Sequence, residues 1–173
     1  MKILSTILVV TCLICGCRPE ELSKRDAMKL IKRDKSYPHI VDYDIITNDT
    51  DLARSITYKE LDSAGLIVVS KSHAFKKENS LIFFTPKAKP YLLKTVPGTY
   101  IQKVKIATED IKEVKEIIKD YLDSTVLVVY NTEYKNITPF GVMLDSISSH
   151  TKQQTAHYTR TKDGWILTNG KNN

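Results

Sequence analysis

All three cysteines of this 173-residue chain, Cys12, Cys15 and Cys17, lie within its first seventeen positions. From Arg18 to Asn173 there is none. That stretch of 156 residues contains no thiol for a disulfide, a zinc–thiolate site or nucleophilic catalysis. Its stability must come from an apolar core. A chain of that length forms one ordinary domain and buries roughly 68–70% of its unfolded surface. The 42% apolar share of the whole chain is that of a globular protein. No low-complexity tract, repeat or Gly/Ser linker divides it, and any division into sub-halves would fall between 23–95 and 96–173.

The cysteines end an apolar run. Lys2 precedes Ile3 to Ile14, twelve residues interrupted only by Ser5, Thr6, Thr11 and Cys12. The run falls short of the roughly 17–25 residues a spanning helix needs and fits the apolar region of a secretory signal. Arg18, Pro19, Glu20 and Glu21 break the pattern abruptly, and Val9, Val10 and Ile14 are poor residues for a buried helix.

Ile14, Cys15, Gly16 and Cys17 resemble the lipobox of bacterial lipoproteins, with Cys15 departing from the usual Ala, Ser or Thr. The resemblance implies a signal peptide over 1–16, a palmitate-bearing Cys17 and a short tether over 17–22. A single domain over 23–173 would follow. It also implies export to the cell envelope and anchorage to a membrane, facing the periplasm or the cell exterior. In a Gram-negative host, Arg18 in place of Asp favours the periplasmic side of the outer membrane. One acyl chain binds a bilayer with a constant of only about 10⁴ M⁻¹, whereas the diacylglycerol of this family is a lasting anchor.

Along the rest of the chain, "LSKRDAMKLIKRDK" predicts a helix capped by Ser23, with Asp26 placed for a capping box and Ala27, Leu30 and Ile31 on its apolar face. Tyr37-Pro38 turns into an extended segment from Ile40 to Thr47. A second helix is expected from about Asp51 to Ala64, with Leu52, Ile56 and Leu61 inside and Gly65 in the left-handed position after it. Leu66 to Val69 and "LIFFT" form a hairpin around the polar loop "SKSHAFKKENS". The order helix, Gly turn, basic hairpin and "TPK" helix start resembles the second half of a winged-helix domain over about 51–93. Only Arg54 and Lys59 are basic on that helix, so the shape is expected without base reading.

The C-terminal half reads as an antiparallel meander carrying one helix, giving an α+β class overall. "TYIQKVKIAT" alternates as a strand. In "TEDIKEVKEIIKDYLD", Ile111, Val114, Ile118 and Tyr121 fall at helical spacing after Thr108, so 109–123 reads as helix, although its β-branched residues suit a strand too. "STVLVVYNTEYKN" is a strand with Val126, Val128, Tyr130, Thr132 and Tyr134 on one side. "QQTAHYTRT" alternates, and Lys162-Asp163-Gly164 turns into Trp165–Thr168.

Chemistry is sparse. His39, His73, His150 and His157 show no metal-ligand spacing, and six glycines form no phosphate-binding motif, so no cofactor or metal is expected. Asp42 and Asp44 alternate as solvated residues do. Residues 71–105 stand apart: eight lysines (Lys71, Lys76, Lys77, Lys87, Lys89, Lys94, Lys103 and Lys105) face a single acid, Glu78. The flanking segments 18–70 and 106–173 are each close to neutral. The lysines are either a solvated surface or a site for an anionic envelope surface, with about 1 kcal/mol per lysine near a bilayer. The expected function is a non-enzymatic envelope binding module. It would hold the membrane through its lipid and an envelope protein or anionic surface through the lysines, with no nucleic acid. The alternatives are an enzyme acting on an envelope polymer and a cytoplasmic winged-helix DNA-binding protein.

Overall fold

The computed structural model describes residues 21–70, 80–95, 97–120, 124–144, 147 and 151–168. The fold is α+β. Helix α1 (Lys24–Asp34) leads into β1 (His39–Ile46). A short 3₁₀ turn (Leu52–Arg54) and α2 (Ile56–Ser63) follow, then the hairpin β2 (Ile67–Val69) and β3 (Ile82–Phe84), then a 3₁₀ segment, Pro86–Tyr91. The remainder is β4 (Ile101–Asp120), β5 (Thr125–Lys135), a 3₁₀ segment Pro139–Met143, β6 (Thr151–Thr161) and β7 (Gly164–Thr168). Five strands form one antiparallel sheet in the order β1-β4-β5-β6-β7, so β4 to β7 is a meander and β1 returns to the outer edge of β4.

Helix α1 forms as its sequence dictates. Ser23 Oγ accepts the Asp26 N–H, and Ala27 and Ile31 are fully buried. The second helix starts later than Asp51, because Asp49 Oδ1 accepts the Asp51 N–H and closes a local turn. Ser55 then caps α2 by accepting the Tyr58 N–H, and Gly65 follows it at φ +69°.

The helix expected over 109–123 is a strand as far as Asp120, where the described part of that segment ends. Residues 101–120 are one continuous β4, and the spacing that suggests a helix comes from β-bulges. Neighbouring residues Val41 and Asp42 oppose Ala107 and Lys105, leaving Ile106 without an opposite number. Lys112 and Lys115 are left over in the same way against β5. Each extra residue stretches the in-facing spacing from two to three. Ile111, Val114 and Ile117 thus meet one core, while Ile118 is 44% exposed. No described strand covers the far edge of β4 beyond Glu109. Bulges and lysines there blunt an edge that would otherwise invite pairing.

Two apolar clusters cover the same sheet face. Toward the C-terminal end of β4, Leu22, Ala27 and Ile31 of the α1 segment pack on Ile111, Val114, Val128, Tyr130 and Tyr158. Toward its N-terminal end, a small lobe of α2, the β2–β3 hairpin and the 3₁₀ segments packs Leu61, Ile67, Ile82 and Phe140 on Ile45, Val104 and Ile106.

Candidate functional site

The lysines divide into groups. Lys103 Nζ lies 2.8 Å from Asp44 and 3.1 Å from Asp42, across the β1–β4 ladder. The hydrogen bond to Asp44 and then that to Asp42 raise its pKa above the ordinary lysine value. Lys105 stands opposite Asp42 in register. On this face the two aspartates hold Lys103, and Lys105 stands beside that bridge. Lys87 Nζ donates to the Ala64 carbonyl at 2.7 Å, tying the segment after β3 to the end of α2. Lys89 and Lys94 are exposed on the same lobe, with no carboxylate partner among the described residues. Lys71, Lys76, Lys77, His73, His150 and Cys17 lie outside the described residues.

Cross-strand register builds a feature no local motif signals. His39 at the start of β1 opposes Glu109 on β4, and its Nε2 lies 3.3 Å from Glu109 Oε2. Glu109 is only 8% exposed, and its Oε1 has no hydrogen-bond partner among the described residues. The Tyr37 ring lies 4.8 Å from the His39 ring. Burial, reinforced by Tyr130 and by the charge of Glu109, pushes the Tyr37 hydroxyl far above its ordinary value. His157 lies elsewhere, half-buried on β6 between Leu127 and Thr168. Among the described residues no three histidine, cysteine or acidic side chains converge to hold a metal.

A concave region lies where α1 begins. Two adjoining clefts of about 390 and 290 Å³ share Glu21, Leu22, Arg160 and Trp165 as walls. The larger adds Asp26 and Lys162, and the smaller adds Ile117, Lys119 and Val126. The β6–β7 hairpin positions Arg160 directly opposite Trp165, with the guanidinium 5.9 Å from the ring centroid. Lys119 Nζ holds Glu21 at 2.7 Å, and that hydrogen bond and charge keep the carboxyl below its usual range. Asp26 is likewise held low, first by Ser23 and then by Lys29. The arrangement puts both signs of charge beside an indole and an apolar floor, which suits a ligand that is itself zwitterionic or amphipathic. Asp26 and the Lys162-Asp163-Gly164 turn into Trp165 carry local sequence signals, but the clefts themselves arise where a hairpin end meets a helix start. No protein-family model, no curated protein and no solved structure matches the chain.

Proposed function

We propose that this chain is an exported envelope lipoprotein, acylated on Cys17, whose folded part is a non-enzymatic binding module. The observation that carries this reading is the twelve-residue apolar run closed by "ICGC", with Cys17 only four positions before Glu21, where the described fold begins. The lobe carrying Lys89 and Lys94 supports a partner-binding role. It attaches at Val104 through the Leu92 bridge, whereas the tether meets the sheet at Lys119. Fifteen residues of strand separate those points, on the order of 50 Å if fully extended. The lysine lobe therefore reaches away from the anchor, toward an anionic envelope component or protein. Within the lobe, the order α2, Gly65, hairpin and Thr85-Pro86 supports the winged-helix-like shape, used as a scaffold.

Cys17→Ser should leave unprocessed precursor and take up no labelled palmitate; labelling that survives the substitution refutes the lipoprotein reading. Reversing Lys89 and Lys94 to Glu should abolish salt-sensitive retention of the intact protein on an anionic polymer such as polyglutamate, because exposed charges act over about 8–10 Å at physiological ionic strength. Unchanged retention would assign the lobe a solvating role only.

An enzyme acting on an envelope polymer is the second reading, favoured by the buried, half-satisfied Glu109 carboxylate against His39. That pairing has the form of an acid–base dyad. Turnover of isolated cell-wall polymer by the wild type and its loss in His39→Ala would select this reading.

A further inference from the structure

The four positions from Cys17 to Glu21 span at most about 14 Å. Whatever holds Cys17 at a bilayer surface therefore holds the surroundings of Glu21 close to it. Those surroundings are the two clefts, with Lys119 on one side and the β6–β7 hairpin on the other. The hairpin contributes Trp165, the only tryptophan in the chain. An indole with an apolar body and a polar N–H settles at the boundary between headgroups and hydrocarbon. Here it is half-buried, flanked by Leu22 and Arg160 on the cleft wall.

The charges around it are mixed. Arg160 and Lys162 stand with Glu21 and Asp26 around the larger cleft. A purely anionic ligand would meet the two carboxylates and a purely cationic one the two bases. A headgroup carrying a phosphate and an ammonium can satisfy both, the phosphate toward Arg160 and Lys162 and the ammonium toward the acids. The smaller cleft, with Leu22, Ile117, Val126 and Trp165 in its walls, offers apolar surface beside it.

We propose that this end of the domain is seated on the bilayer holding Cys17, with a zwitterionic phospholipid headgroup in the larger cleft and Trp165 at the interface. The inference rests on the lipoprotein reading and extends it from a passive tether to a defined docking face. Seating fixes the orientation of the sheet and holds the lysine lobe clear of the membrane.

Trp165 is its own reporter. The acylated full-length protein is reconstituted into phosphatidylcholine vesicles with and without bromine-labelled acyl chains, and flotation is measured on the same samples. The expected result is flotation with the vesicles, a blue-shifted Trp165 emission relative to the Cys17→Ser protein in buffer, and loss of most of that emission to bromine quenching. Lys162→Glu, a change in an exposed turn, should keep flotation and the circular dichroism spectrum but lose most of the quenching; Arg160→Glu should do the same. Flotation with solution-like, unquenched emission overturns the docking while leaving the anchor standing. Failure to float or to take up palmitate overturns the anchor, and the docking with it. Quenching that Lys162→Glu and Arg160→Glu leave intact overturns the headgroup site.

Discussion

The two ends of β4 cover the same face of the sheet by different means. At its C-terminal end one capped helix does most of the covering, with Ala27 and Ile31 fully buried on Val114, Val128 and Tyr130. At its N-terminal end no element is long. The lobe is assembled from an eight-residue helix, a hairpin of two three-residue strands and 3₁₀ segments, wrapped around Phe140 and Ile45. Short elements leave many backbone groups without ladder or helix partners, and here threonines take them. Thr138 Oγ1 donates to the Lys105 carbonyl at 2.6 Å, Thr85 Oγ1 to that of Gly65 at 2.7 Å and Thr47 Oγ1 to that of Tyr100 at 3.0 Å. A helix satisfies its own backbone and asks only for an apolar stripe, whereas a lobe of fragments needs side chains as pins.

If β4 couples these regions, damage in one is felt in the other. Phe140 is fully buried and packs near the rings of Phe84 and Tyr91, with centroids 6.3 and 6.1 Å away. Phe140→Ala should cost about 3–5 kcal/mol. Trp165 lies at the opposite end, so its fluorescence and the far-ultraviolet dichroism should lose structure together at one lowered midpoint. Tryptophan fluorescence that keeps the wild-type midpoint would show two independent units instead.

Alkali should act on both regions at once. Burial pushes Tyr58, in the lobe, up to about 12, and raises Tyr158, beneath α1, further still. A tyrosine whose folded pKa is raised contributes stability that is fully present below the unfolded value near 10 and is lost as pH climbs to the folded one. The loss is about 1.4 kcal/mol per pH unit for each such tyrosine. Unfolding should therefore begin above about pH 10, with tyrosinate absorbance appearing together with loss of dichroism. A tyrosinate signal that forms without unfolding and that Tyr58→Phe and Tyr158→Phe remove would mean these hydroxyls reach solvent.

The helix-covered end is the more legible of the two in the chain itself. The Ser23 cap, the in-facing Ala27 and Ile31, the alternation through Val126–Tyr134 and the Lys162-Asp163-Gly164 turn are local, and each is present where its pattern places it. The 109–120 segment misleads because two bulges, at Lys112 and Lys115, impose a three-residue spacing on a strand, and a bulge exists only once a partner strand is in register. The site suffers the same limit. The Glu109–His39 pair and the Asp42–Lys103–Asp44 bridge join residues about 60 to 70 positions apart through antiparallel register. A run of lysines is visible in composition, whereas the aspartates that neutralise one of its members belong to another strand.

The pins themselves offer a smaller test. Thr138 Oγ1 donates to Lys105 and accepts the Phe140 N–H at 3.2 Å, so Thr138→Val should cost about 1–2 kcal/mol in denaturant unfolding. Ser23→Ala, which removes the cap of α1 and the hydroxyl's bond to the Asp26 carboxylate, should cost about 1 kcal/mol. A cap that matters more than the pin would reverse the contrast between the two regions.

The smallest effect expected has the opposite sign. Tyr58 is 1% exposed, yet its hydroxyl has no hydrogen-bond partner among the described residues. Its ring fills the lobe core beside Leu61 and Ile45. A buried hydroxyl without a partner has lost its water and gained nothing in return, whereas the ring keeps its full apolar burial. Tyr58→Phe deletes that one atom and leaves the packing in place. It should be neutral or stabilising by up to about 1 kcal/mol, and it should also remove the contribution of Tyr58 to alkaline unfolding, moving the onset upward. A loss greater than about 1 kcal/mol would mean that the hydroxyl is hydrogen-bonded, as it would be to an internal water. The lobe would then be pinned at Tyr58 as it is at Thr138, and its contrast with the helix-covered end would be sharper.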